Sequence, residues 1–197
     1  MSRIFFPLVA VSLFTAAVVR PNTAATPVVT ASPVALDTAH ATAPALDDAT
    51  IVAIFDAANT ADIETGELAM KKGSTKEVRE FGAMLARDHK AVRQQGRDLA
   101  AKLGVVPTPP ADDASAKAHA AAMKTLRAAR GAAFDHAFLQ HEVAFHKAVI
   151  DAVNATLLPA IQNAELKKLV VTVAPAFQAH MIAADNLDKK QIASRQP

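Results

Sequence analysis

The chain has 197 residues, 21 basic against 19 acidic side chains, and no Cys, Trp or Tyr, so its aromatic content is nine Phe. That length suits one domain once the ends are set aside. Without a thiol there is no disulfide frame, no thiolate metal site and no cysteine nucleophile, and the abundant alanine favours helix.

Residues 1–25 read as a secretory signal peptide. Arg3 supplies the positive start, Ile4–Val19 is apolar apart from Ser12 and Thr15, and Thr23-Ala24-Ala25 offers small residues for cleavage. The apolar run is shorter than the ~20 residues needed to span a bilayer, and Arg20-Pro21 ends it. Removing the signal takes away Arg3 and Arg20 and no acid, leaving 19 basic against 19 acidic residues. A formally neutral remainder has no strong attraction for nucleic acid. Residues 26–46, rich in Ala, Thr and Pro, read as a linker. The expected folded domain is 47–192, with 193–197 a disordered tail.

The first helix is predicted over Asp48–Lys72, capped by Asp47 or Asp48 and stopped by Gly73. Its inner face reads Ile51, Ile54, Phe55, Ala58, Ala61, Thr65, Leu68 and Ala69. The second begins at a capping box, Ser74-Thr75-Lys76-Glu77, and runs to Leu103 with Gly104 beyond its end. Val78, Phe81, Leu85, His89, Val92, Gly96, Leu99 and Leu103 line its inner face without a break. Val105–Asp113 carries three prolines and is not helical, and Ser115–Arg130 is a short helix anchored by Leu126. A third long helix runs from Ala132 to Thr156. Phe134, Phe138, Phe145, Val149 and Val153 mark its apolar face, into which Glu142 and His146 intrude one turn apart. The fourth starts at the cap Asn163, buries Leu166, Val170, Val173, Phe177, His180 and Ala184, and holds Pro175 inside it.

Four helices of this length favour an all-α bundle. Short links make the first two antiparallel, and the last two likewise. The connection from Gly104 to Gly131 is long enough to cross the whole bundle, which permits a ferritin-like topology whose crossover contains the short extra helix.

His89, His146 and His180 each occupy a core face of a different helix, near mid-length in all three. Glu142 joins them, Glu64 lies at the edge of the first helix's face, and Asp62 is an alternative there. Imidazole and carboxylate from facing helices suit a single divalent transition metal such as zinc, iron, manganese or copper. The plainer alternative is a set of hydrogen-bonded structural histidines. Asp88 and His141 lie beside these positions as supporting groups. His136 and His119 are expected to be solvated. Ala86 and Phe177 stand three residues before His89 and His180, so the paired Glu-x-x-His pattern of di-iron ferritins is missing. A mononuclear centre, or none, fits better.

Several of these residues, in this order and spacing, resemble the bacterial domain-of-unknown-function family numbered 4142. They are Glu64-Thr65-Gly66-Glu67-Leu68-Ala69, Val78 with Phe81, Asp88-His89, Phe134-Asp135 with Phe138, His146, Pro175, and Phe177 with His180. The family commonly has Tyr where this chain has Phe138, which removes a hydroxyl. The resemblance implies a secreted, periplasmic or envelope helical bundle of ferritin-like fold. It also implies that Glu64, Asp88, His89, Asp135, His146 and His180 matter to it.

Three functions follow. The first is an exported metal-binding bundle of envelope or stress physiology. The second is a non-catalytic envelope scaffold that binds a protein partner, which an exposed apolar patch on Ser115–Arg130 would favour. The third, an enzyme using histidine as general base, is the least supported, since the chain has no phosphate loop or nucleophile elbow.

Overall fold

Asp47 accepts a hydrogen bond from the Thr50 amide and so starts helix α1, Asp48–Lys72. A three-residue turn then reverses the chain into α2, Lys76–Leu103. The computed structural model describes residues 46–111 and 113–194. The expected leader, most of the linker and residues 195–197 lie outside that range. Helix α3 spans Ala114–Ala128 and α4 spans Gly131–Ala152. The latter continues through a π-helical turn, Val153–Leu157, into the short α5, Leu158–Ala160. Helix α6, Ala164–Ala193, is capped by Asn163 and runs through Pro175. The described residues form helices and connections only, with no strand.

Two boundaries differ from expectation for identifiable reasons. Thr75, not Ser74, caps α2, accepting from the Val78 amide. Ser74 turns instead to buried Asp135, which accepts from both its amide and its hydroxyl. The third long helix closes as α-helix four residues earlier than Thr156, and the π turn carries it on, keeping both Val153 and Leu157 buried.

Helix α1 packs along α2, α4 along α6, and the two pairs meet through α2–α6 and α1–α4. End contacts fix their directions. Lys102 near the end of α2 pairs with Glu165 at the start of α6, and Gln191 near the end of α6 donates to Thr75 at the start of α2. Asp48 at the start of α1 accepts from Gln162 and Asn163 beyond α4. The segment after α2 begins beside the start of α1, where the Thr108 amide donates to the Ala49 carbonyl. It arrives at the other end of α1, where Lys72 donates to the carbonyls of Leu126 and Arg127 at the last turn of α3. The same ammonium lies 5.2 Å from the Phe134 ring centroid.

The apolar interior is in two parts. One gathers Ile51, Phe55, Val153, Leu157, Leu166, Val170 and Phe177, and the other gathers Ala69, Leu85, Leu126, Phe134, Phe138 and Ala184. In sequence along each long helix, the buried polar residues Asn59, Asp62, Thr65, His89, Glu142, His146 and His180 fall between the two.

Near that boundary α1 and α2 touch through glycine. A Cβ placed on Gly82 would sit 2.6 Å from the Gly66 carbonyl oxygen, and one on Gly66 would sit 2.7 Å from the Gly82 carbonyl oxygen. Alanine ordinarily stabilises an exposed helix by about 1 kcal/mol relative to glycine. At Gly82 the sign should reverse. The Gly82→Ala variant is expected to lose about 1–3 kcal/mol through overpacking, read from urea unfolding midpoints.

Candidate metal centre

The three core histidines come together. His89 of α2 is 1% exposed, His146 of α4 is 1% and His180 of α6 is 6%. Their ring centroids lie 5.1–5.5 Å apart. One ring nitrogen from each falls within 4.8 Å of the others. Phe177 stacks on His89 with centroids 5.4 Å apart, closing one side with an apolar plate.

The surrounding hydrogen bonds set the tautomers. Asn59 of α1 donates its amide to the Phe55 carbonyl at 2.7 Å, so its oxygen is the group facing His89. His89 Nδ1 therefore donates to Asn59 Oδ1 at 3.0 Å, and Nε2 is left bare. His180 Nε2 faces Asp88 Oδ2 at 3.2 Å and donates to it, which leaves Nδ1 bare. His146 Nδ1 donates to the Glu142 carbonyl at 2.9 Å, and its Nε2 is buried without a partner. Hence His89 Nε2 and His180 Nδ1 face each other at 3.2 Å as two lone pairs with no hydrogen between them. Orientation of a ring by a bond to its far nitrogen is the usual arrangement of metal-ligating imidazoles.

All three rings are held neutral. Burial pushes His89 down to about 3, helped by the neighbouring charges of His146 and His180. Burial pushes His146 down to about 4 against the opposing pull of its bond to the Glu142 carbonyl. Burial also lowers His180, and Asp88 partly offsets it.

Two carboxyls complete the layer. Asp62 of α1 is 4% exposed and Glu142 of α4 is wholly buried. Asp62 Oδ1 and both Glu142 oxygens lack a hydrogen-bond partner among the described residues. The Thr65 hydroxyl beside them donates to the Asp62 backbone carbonyl. Glu142 Oε2 lies 3.5 Å and Asp62 Oδ1 3.9 Å from His146 Nδ1, and Asp62 Oδ2 is 3.4 Å from His89 Nδ1. Burial raises Glu142 to about 7, while Thr65 and Asp62 hold the rise back. Burial, then the charge of Glu142, raises Asp62 well above the usual carboxylate range. Three bare imidazole nitrogens beside two carboxyls can accept a divalent cation, with no sulfur in the donor set.

The remaining expected residues distribute as follows. Glu64 stands on the exposed side of α1 and pairs with His119 of α3 at 2.9 Å, so it lies outside the layer. The first helix turns Asp62 inward in its place, two residues and about 200° away. His119, expected in solvent, has a side chain only 19% exposed. Asp135 is at the far end of α4, holding Ser74. His141 lies beside the layer, stacked on Phe145 with centroids 5.8 Å apart. His136 is half-exposed and bonded to Asp188 at 2.8 Å. Asn59 was not anticipated. The signal for it was present, since Phe55, Asn59, Asp62, Gly66 and Ala69 recur at alternating four- and three-residue steps.

An all-helical chain with a buried histidine and carboxylate layer is thus the class that fold and site define. The chain matches the model of the family described as Domain of unknown function (DUF4142) over residues 34–187, and it belongs to that family. No curated protein and no solved structure matches it.

The metal-free protein should have a stability maximum set by these groups. Glu142 is raised from an ordinary 4.5 to about 7, so its contribution is full below pH 4.5 and lost as pH rises through 7. His89 and His146 are lowered from 6.5 to about 3 and about 4, so theirs is full above pH 6.5 and lost as pH falls through those values. Melting temperature measured in chelator is therefore expected to peak between pH 4.5 and 6.5. The variant Glu142→Gln should flatten the fall on the alkaline side.

Proposed function

We propose that the chain is an exported, ferritin-like four-helix bundle that binds a single divalent transition metal through His89, His146 and His180, with Glu142 or Asp62 supplying a carboxylate. The observation that carries this reading is the pair of bare nitrogens on His89 and His180, 3.2 Å apart in a dry interior. Lone pairs at that distance repel unless something positive lies between them, and the neutral rings provide no proton. An ion ~2.1 Å from each nitrogen would see them at an angle of about 100°, within the range of tetrahedral and octahedral coordination. A carboxylate joining the ion would release its proton and cancel part of the charge.

Export to the periplasm or cell envelope is supported by the Arg3, Ile4–Val19 and Thr23–Ala25 pattern. No helix among the described residues is long and apolar enough to cross a membrane. The ferritin-like reading is supported by the end contacts, which set each long helix against antiparallel neighbours and return the crossover along the length of α1. The scaffold reading lacks the patch that would favour it. The large exposed apolar residues among those described are Met70, Val106, Val171, Ile182 and Ile192, none of them on α3.

Metal analysis of the purified protein, with calorimetric titration by Zn2+, Mn2+, Fe2+ and Cu2+, tests the proposal. One ion per chain is expected. Saturation at about a hundred times Kd should stabilise the fold by about 2.7 kcal/mol. Replacing any of the three histidines by Gln should weaken binding by at least about a hundredfold, the upper end of what loss of a supporting partner alone costs. Absence of stoichiometric binding, with no rise in melting temperature for any of the four ions, would overturn the reading.

A further inference from the structure

The triad is sealed, with its rings 1–6% exposed, so any cation held there must pass through a side of the bundle. A second set of imidazoles lies on the side covered by α3. His119 Nε2 faces Glu64 Oε2 at 2.9 Å. The carboxylate draws the ring proton to Nε2 and leaves Nδ1 bare, and that Nδ1 is buried without a hydrogen-bond partner. The Glu64 side chain is 48% exposed and carries its charge to the mouth of this seam. On α4, His141 is buried enough that burial, with the nearby charge of His119, pushes it down to about 4. Its ring stacks on Phe145, which meets His146 edge-on at 6.1 Å between centroids. Neutral nitrogen donors and ring contacts thus lead from a half-exposed carboxylate to the buried layer.

Helix α3 is held mainly at its far end. Its buried residues, Met123 and Leu126, and the carbonyls that accept from Lys72 all lie beyond His119, and residues 114–118 before it are exposed. The part of α3 that carries His119 is therefore the part with the fewest packing anchors.

We propose that Glu64, His119 and His141 form the port through which a divalent cation is captured and handed to His89, His146 and His180. Capture is ligand exchange. Glu64 draws the hydrated cation in by charge, and the bare Nδ1 of His119 replaces one of its waters. A neutral His141 then takes the ion toward His146. No imidazole proton is displaced in the capture step, because the Glu64 contact already holds it on the far nitrogen. This inference rests on the metal-binding reading above.

The test separates rate from affinity. Full-length protein freed of metal is mixed with Co2+ in a stopped-flow instrument, and loading is followed by visible absorption of the bound ion. His119→Ala and Glu64→Gln change partly exposed positions, and circular dichroism melts confirm their folding. Both variants are expected to bind one Co2+ with wild-type Kd but to load it at least roughly tenfold more slowly, the low end of what charge focusing contributes to association. Wild-type loading rates in both variants, alongside normal binding by the parent, would overturn the port and leave the triad standing. A fall in affinity with release faster than in the parent would make His119 a resident ligand and also overturn it. No Co2+ uptake by the parent would fail the triad reading itself, and the port with it.

Discussion

The cost of placing ionisable groups between two apolar clusters governs this structure. A buried polar atom without a partner costs on the order of 1–3 kcal/mol, and a buried charge costs more. The chain meets most of that cost locally. Asn59, Asp88 and the Glu142 carbonyl each take one ring proton, and burial keeps the imidazoles neutral. Three oxygens of Asp62 and Glu142 and one nitrogen of His146 are left over. All four lie in the same layer, and all four are groups that can ligate a cation. Scattered packing faults would have no reason to share one place and one chemistry.

The rest of the fold brings these groups to one depth. Gly66 and Gly82 let α1 and α2 approach until only backbone separates them, which carries Asn59 and Asp62 to His89. The two hairpins join across α2–α6 and α1–α4. The first of these contacts unites His89 with His180, and the second sets Asp62 against Glu142. Each functional contact is therefore made between helices distant in sequence, and each depends on helix direction and register.

Much of this was legible in the sequence. Apolar spacing and capping residues place α1 and α2 almost to the residue, because Asp47, Gly73 and Gly104 are strong local stops. The equal depth of His89, His146 and His180 follows from counting residues from the helix starts. The first helix was harder to read. Its alanines and threonines give a broad, weakly apolar face, so Glu64 and Asp62 compete as inward residues and sequence alone favours the wrong one. Packing against α2 settles the rotation through the two glycines, which no single-helix pattern contains. The Ser74–Asp135 contact was invisible for a related reason. It joins residues 61 positions apart, and a cap motif within the first turn of α2 offered a simpler partner.

The division of the interior into two oily halves has a consequence for folding fidelity. A slip of α4 by one turn would exchange methyl groups for methyl groups at either end at little cost. At the middle it would carry His146 away from Phe177 and His180 and set its ring among aliphatic side chains. The polar layer thus penalises every alignment but one, as a lone asparagine does in a zipper of leucines. It would do so in the empty protein as well as in the loaded one, so a residue set chosen for chemistry also keeps the helices from shearing past each other.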